Sequence, residues 1–378
     1  MENSVLTVRR LSPLATATGL LSFVLVGASQ AMYGPALPGF TELFNLQPGA
    51  AGLMVSVHNG GAVLGVLSAV PLARLALARW RVGASFALLG LGALLVGAAF
   101  SWPLTLLGGL VIGIAFGALV GSINGLFAVG YGRRSPAMVN LLNAIFGIGA
   151  ILSPLLFLLD FDRWTGPFFV LAGVTAVLFP LGLLMDDRLP VTDNLELPAR
   201  QRRGVVLAFM VLLGLGVAVE ASTVGYATTY LIAVGVSLEQ ATTATSLFFL
   251  LFTFGRLAAI PLSLRLKPHQ IVFGSLVLTG FLLLAANVTS LAPVAVVLLG
   301  SSIAVYFPNC FNWANAVSGA GGSTPYIMAG TLLGGAFGPA IVAQIVPLVG
   351  EGAIMAIIGG LSVLALLMGV WVKVRIAP

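Results

Sequence analysis

Three ionisable side chains lie within long apolar stretches of this chain: Glu220, Arg256 and His58. Placing a charge in apolar surroundings is costly, so such groups usually face a protein interior or a water-filled cavity. Glu220 is the only acidic residue in such a position, and its carboxylate could exchange a proton or contact a ligand. The alternative interpretation is a structural ion pair between Glu220 and Arg256. His58 could relay protons, since imidazole titrates near neutral pH, or could hold its helix through a hydrogen bond.

A larger set of amide and aromatic side chains lies in the same stretches. Asn309 and Asn312 are three residues apart, which places them on one face of a helix, with Trp313 beside them. Amides offer donors and acceptors and a ring offers a flat apolar face, so the set suits a neutral polyhydroxylated ligand such as a sugar. Alternatively, each asparagine only holds neighbouring helices together. The candidate ligand-binding residues are Gln30, Tyr33, Asn59, Asn124, Asn143, Tyr226, Asn309, Asn312 and Trp313.

The sequence gives no support for enzymatic or metal chemistry. Two histidines and the single cysteine, Cys310, form no metal-ligand cluster, and one cysteine allows no internal disulfide. The chain has no glycine-rich nucleotide motif and no nucleophile–base pair. We therefore expect no enzyme, no metal and no bound cofactor.

Composition places these residues in a membrane protein. The chain is 59% hydrophobic and 7% charged, whereas soluble domains are roughly 45–50% apolar and 25% charged. A spanning helix needs roughly 20 mainly apolar residues. The sequence contains twelve such stretches, and we expect the lipid bilayer to surround them. They cover residues 13–38, 48–73, 82–100, 103–130, 137–159, 165–185, 204–233, 241–264, 270–287, 291–317, 325–349 and 351–372.

The Lys and Arg residues sort by loop. With the N-terminus in the cytoplasm, fifteen fall on the cytoplasmic side, Arg163 falls on the other side, and Arg256 lies within a stretch. Short loops rich in Lys and Arg stay cytoplasmic, so we expect both termini inside and the chain in the inner membrane. The Lys and Arg residues form no single basic patch, which argues against nucleic acid as a binding partner. The fifteen are Arg9, Arg10, Arg74, Arg79, Arg81, Arg133, Arg134, Arg188, Arg200, Arg202, Arg203, Arg265, Lys267, Lys373 and Arg375.

The two halves of the chain repeat one another. Gly65-Val-Leu-Ser-Ala-Val-Pro71 matches Gly255-Arg-Leu-Ala-Ala-Ile-Pro261 at an offset of 190 residues, and Leu141–Gly147 matches Leu332–Gly338 at an offset of 191. At the first offset Gln30 corresponds to Glu220. We therefore predict an all-α fold of twelve transmembrane helices in two pseudo-symmetric six-helix bundles, residues 1–185 and 204–378, joined by a polar cytoplasmic linker, 186–203.

Several short segments resemble the fucose–proton symporter-like branch of the major facilitator superfamily. At the level of architecture the resemblance covers most of the chain. Its most specific local segment is Asn140–Ala150, followed by Pro154. The remaining segments are Tyr33-Gly-Pro-Ala-Leu-Pro38, Asn124-Gly-Leu-Phe127, Glu220, Phe252-Thr-Phe-Gly-Arg256 and Tyr306-Phe-Pro308. The resemblance implies import of monosaccharides together with protons.

The chain departs from that branch where some of its sugar symporters carry acidic residues. The corresponding neighbourhoods read Tyr33-Gly34 and Val120-Gly121-Ser122. Proton coupling would then depend on Glu220, with help from His58. We expect a monomeric secondary transporter that moves a small polar solute, a sugar by preference, by alternating access. The alternatives are an exporter of amphipathic, drug-like compounds and an uncoupled facilitator.

Overall fold

A computed structural model of the chain describes residues 11–47, 49–75, 77–131, 135–159, 161, 163–185, 203–263, 265–318 and 324–376. Within those ranges every regular element is helical. The predicted linker 186–203 lies outside the described residues except for Arg203, and the domain boundaries stay a prediction.

The fold consists of fourteen α-helices within the described ranges. In the first half they are α1 Pro13–Ala31, α2 Tyr33–Leu43, α3 Leu53–Leu75, α4 Ala78–Ala98, α5 Trp102–Val129, α6 Ser135–Leu155 and α7 Gly166–Leu183. In the second half they are α8 Arg203–Ala233, α9 Leu238–Ser263, α10 Pro268–Ala286, α11 Ala292–Ala304, α12 Tyr306–Ser318, α13 Thr324–Val349 and α14 Ile354–Arg375.

These helices form twelve membrane spans, as the sequence predicted. Eleven spans in the described residues are long and apolar enough to cross a bilayer, and a shorter apolar segment, Ala144–Leu158, supplies the twelfth. The outer surface is apolar as well: Val177, Leu284 and Leu348 are 74%, 73% and 83% exposed. A surface of this kind faces lipid rather than water.

Two of the predicted stretches are each divided into two helices. The stretch 13–38 breaks at Met32, and the stretch 291–317 breaks at Val305. A proline follows each break, Pro35 and Pro308 respectively. Proline has no N–H, so the carbonyl four residues earlier loses its helical partner, and its ring crowds that carbonyl. Hydropathy alone cannot register such a break, because the apolar character continues through it.

The internal repeat reappears as matched helix contacts. Helix α3 packs on α5 as α9 packs on α11. A Cβ added to Gly65 would lie 2.1 Å from the carbonyl oxygen of Ile114, and one added to Gly255 would lie 3.0 Å from the Cβ of Ala304. Ile114 and Ala304 are themselves 190 residues apart. Each glycine therefore permits the same close helix crossing in its own half.

The two halves pack against each other through helix pairs that the repeat interchanges. Helix α3 contacts α13, and α6 contacts α9. Since α3 corresponds to α9 and α6 to α13, exchanging the halves converts one pair into the other.

We call the end of the bundle that holds Leu11 and Ile376 the terminal side, and the opposite end the far side.

Candidate functional site

A cavity of about 290 Å³ lies between α6, α9 and α12. Its polar lining consists of Thr253, Arg256, Ser263, Asn309 and Asn312, and the remaining lining is apolar. Ser263 ends α9 at the terminal side, and Asn312 is exposed. The cavity therefore occupies the half of the bundle nearer the terminal side.

Helix α9 supplies the charged part of this cavity. Thr253 and Arg256 are three residues apart and share a helix face. The guanidinium carbon of Arg256 lies 4.4 Å from the ring centre of Phe252, which is a cation–π contact. Its Nε is buried and has no hydrogen-bond partner among the described residues. Arg256 is thus held over an aromatic face with donor capacity unused.

Helix α12 supplies the two amides. Nδ2 of Asn309 donates to the carbonyl oxygen of Val305, the residue at which the span breaks, at 2.8 Å. Asn312 follows one turn later and is exposed. This hydrogen bond holds the side chain of Asn309, while Asn312 remains accessible in the cavity. The sequence predicted that these two residues share a face, and both line the cavity.

Trp313 does not lie beside the asparagines on the cavity wall. It is 4% exposed, and its ring packs against Phe209 and Phe273 at centroid distances of 5.2 and 6.2 Å, with His269 at 5.8 Å. These residues belong to an apolar cluster of the second half. The aromatic surface nearest to the guanidinium is instead Phe252. Composition does not single out Phe252, which is one of 23 phenylalanines, and it appeared in the sequence analysis only as part of the segment that ends at Arg256.

Glu220 and Arg256 interact electrostatically but do not form a contact pair in this structure. Their charges are close enough for a Coulombic interaction. No ion pair within 4.0 Å joins them among the described residues, and Glu220 is absent from the described lining of the cavity. The structural ion pair considered from the sequence is therefore not formed here.

His58 is paired with Tyr33 inside the first half. The hydroxyl of Tyr33 is hydrogen-bonded to Nδ1 of His58 at 3.0 Å, and each residue is 1% exposed. The ring of His58 also meets that of Phe116 edge to face at 5.0 Å. Its Nε2 is buried without a partner among the described residues. The pair is enclosed by protein and lies apart from the cavity lined by α9 and α12.

Tyr226 joins the two halves at the far side. Its hydroxyl donates to the carbonyl oxygen of Gly49 at 2.8 Å and lies 3.3 Å from that of Pro339. Gly49 lies in the connection between α2 and α3, with a φ of +77°. Tyr226 is fully buried. It was predicted to bind ligand, and the structure places it in the closed contact between the halves.

The remaining predicted residues are dispersed. Gln30 and Asn124 are half-buried. Asn59 donates to the carbonyl of Val55 at 2.9 Å and faces Gly335 of the second half. The side chain of Asn143 lies outside the described residues. Sequence reasoning missed Thr253 and Ser263, although the spacing of Thr253 from Arg256 was a usable signal.

The sequence matches the profile of the Major Facilitator Superfamily over residues 19–324. The chain belongs to this superfamily. Its members share the architecture described above, and the superfamily contains transporters rather than typical enzymes. No curated protein sequence matches the chain significantly.

Solved structures show the same fold at low sequence identity. The chain is 15% identical to a variant of the E. coli fucose:proton symporter FucP, with a TM-score of 0.63 and coverage of 94% of this chain and 98% of that one. It is 14% identical to a mutant of the nucleoside transporter NupG, with a TM-score of 0.76 and coverage of 93% of this chain and 99% of that one. It is also 14% identical to a D-xylose-proton symporter, with a TM-score of 0.73 and coverage of 97% and 98%.

Proposed function

We propose that this chain is a monomeric secondary transporter of the inner membrane that moves a small polar solute, a sugar by preference, by alternating access. The observation that carries the proposal is the cavity in which Asn309 and Asn312 face Thr253 and Arg256. Ligand sites are mostly apolar, with a few placed polar groups, and measure about 300–1,000 Å³. A cavity of about 290 Å³ suits a solute at the small end of that range. The sugar and nucleoside transporters among the structural neighbours agree with such a solute.

The distribution of contacts supports alternating access. The halves are packed at the far side, where Tyr226 meets Gly49, and the cavity lies toward the terminal side. With the Lys- and Arg-rich loops in the cytoplasm, the far side faces outward, and this conformation is the inward-facing one. Matched pairs of helices, α3 with α13 and α6 with α9, allow the two bundles to rock about the site.

Glu220 is the residue we propose for proton coupling. It lies within a membrane span, has no ion-pair partner within 4.0 Å among the described residues, and interacts electrostatically with Arg256 of the cavity. A carboxylate in such a position can gain or lose a proton as its access to water changes. No bound cofactor is needed, because the proton gradient supplies the driving force.

Uptake into proteoliposomes tests both parts of the proposal. Purified protein should accumulate a radiolabelled sugar above the external concentration when the lumen is alkaline, and only equilibrate it without a gradient. Glu220→Gln should abolish accumulation and retain counterflow exchange, whereas Glu220→Asp should retain both. Equilibration without accumulation in the parent protein indicates an uncoupled facilitator. Transport of amphipathic compounds in place of sugars indicates the exporter.

A further inference from the structure

The cavity between α6, α9 and α12 carries one formal charge among the described residues that line it, and that charge is positive. Arg256 provides it, and the described lining residues include no Asp or Glu. Phe252 covers one face of the guanidinium at 4.4 Å, so its edge, where the N–H groups lie, is the part left for hydrogen bonds. The Nε of Arg256 is buried without a hydrogen-bond partner among the described residues, and an unpaired buried donor on a cation is costly. A ligand that brings negative charge into the cavity removes that cost.

Glu220 does not fill those donors. It lies within Coulombic range of Arg256 and lowers the electrostatic cost of the cation. It forms no ion pair with Arg256 within 4.0 Å among the described residues, and Nε of Arg256 has no hydrogen-bond partner there. The electrostatic balance is therefore partial, and the hydrogen-bonding capacity remains for a solute.

We propose that Arg256 binds a carboxylate and that the transported solute is a polyhydroxylated monocarboxylate, such as a uronic acid. This inference rests on the proposed function and narrows its substrate class. A guanidinium binds a carboxylate through two parallel N–H···O bonds, and the amides of Asn309 and Asn312 suit the hydroxyls. One arginine matches one negative charge, whereas a phosphate ester carries about −1.5 to −2 at neutral pH.

This assignment changes the ligand expected from the sequence. A neutral sugar was expected because amides and an aromatic ring suit the hydroxyls and the apolar face of a sugar. Arg256 was considered only as an ion-pair partner of Glu220 or as a coupling residue. The structure puts Arg256 on the cavity wall together with both asparagines. Its charge then acts on the solute as well as on Glu220.

Matched pairs of sugars test the proposal on the purified full-length protein. Glucose and glucuronate share the ring and its hydroxyl groups and differ only at C6, which is a hydroxymethyl group in the first and a carboxylate in the second. Galactose and galacturonate differ in the same way. Dissociation constants for each pair are measured by isothermal titration calorimetry at pH 7, where the uronates are ionised. In at least one pair the uronate should bind about tenfold or more tightly, since hydrogen bonds to charged groups contribute roughly 1.5–3 kcal/mol.

Variants assign that preference to Arg256. Arg256→Gln keeps hydrogen-bonding capacity and removes the charge, so each uronate should bind within about twofold of its hexose. Arg256→Lys keeps the charge but loses the planar guanidinium that forms two parallel hydrogen bonds. It should therefore retain part of the preference for the uronate. Gln240 lies at the exposed far-side end of α9. Gln240→Ala is therefore the control variant for expression and purification, and it should keep the full preference for the uronate. Arg256→Lys also keeps the test valid if the glutamine variant does not fold.

Two outcomes overturn the inference and leave the proposed function standing. One is that both hexoses bind as tightly as their uronates, and the other is an Arg256→Gln variant that keeps the full preference. A different result, in which neither sugars nor uronates bind or enter proteoliposomes, overturns the proposed function itself.

Discussion

The hydroxyl of Tyr226 in α8 donates a hydrogen bond of 2.8 Å to the carbonyl oxygen of Gly49, in the connection between α2 and α3. The bond joins the second half of the chain to the first at the far side. Around it the halves approach closely: Val346 of α13 packs on Gly49, and Val55 of α3 packs on Gly225. Opening the far side requires these contacts to separate. Tyr226 therefore stabilises the conformation in which that side is closed.

Replacing Tyr226 by phenylalanine should shift the protein toward conformations that are open at the far side. The variant keeps the ring and loses a hydrogen bond of about 1 kcal/mol, which corresponds to roughly a fivefold change in the population ratio. Spin labels at Phe100→Cys and Leu348→Cys, in a Cys310→Ser background, report the distance between the halves. Both positions are highly exposed at the far side. The distance distribution should gain a longer component.

Tyr230→Phe is the matched control for that measurement. Its hydroxyl also donates to a backbone carbonyl, that of Ala286, but both residues belong to the second half. The control should leave the distance between the halves unchanged. If both variants lengthen it equally, the effect comes from general loosening and not from the bond between Tyr226 and Gly49.

Adding a methyl group at Gly52 should displace Tyr226 by steric conflict. A Cβ at this position would lie 1.7 Å from the hydroxyl oxygen and 1.9 Å from Cζ of that ring. Gly52→Ala should therefore reproduce the opening caused by Tyr226→Phe, with a larger amplitude. Gly60→Ala, on the same segment of chain, meets nothing within 4 Å and should have no effect. The double variant Gly52→Ala with Tyr226→Ala should open no further than Tyr226→Ala alone, since the conflicting ring is gone. Additive opening contradicts this mechanism.

The sequence predicted the fold better than the site, for physical reasons. Hydropathy and the repeat depend on properties summed over many residues, so they predicted twelve spans in two halves. The site depends on which face of each helix turns inward and on where a helix breaks. Asn309 and Asn312 were found because their spacing alone places them on one face. Trp313 is adjacent in sequence, but it points into the packing of Phe209 and Phe273.

Two helix glycines, Gly65 in α3 and Gly280 in α10, should differ in their tolerance of alanine. Gly65→Ala would bring a Cβ within 2.1 Å of a backbone oxygen of α5, and it should lower thermal stability by about 1–3 kcal/mol. Gly280→Ala meets nothing within 4 Å and should be neutral or slightly stabilising, because alanine favours a helix interior. Thermal unfolding in detergent measures both. Equal effects would show that close packing does not govern the tolerance of these two positions.

Substitutions at Asn312 and at Trp313 should have different effects, one on solute binding and the other on stability, although the two residues are adjacent. Asn312 is exposed and lines the cavity, so Asn312→Ala should weaken solute binding by about fivefold, the loss of one hydrogen bond, with unchanged unfolding temperature. Trp313 is buried in the apolar cluster with Phe209, so Trp313→Phe should lower stability and leave the dissociation constant unchanged. Calorimetric titration with the best-bound sugar or uronate and thermal unfolding of both variants give the comparison. Weaker binding by Trp313→Phe at full stability would restore the tryptophan as a stacking surface for the solute, and it would require α12 to rotate during transport.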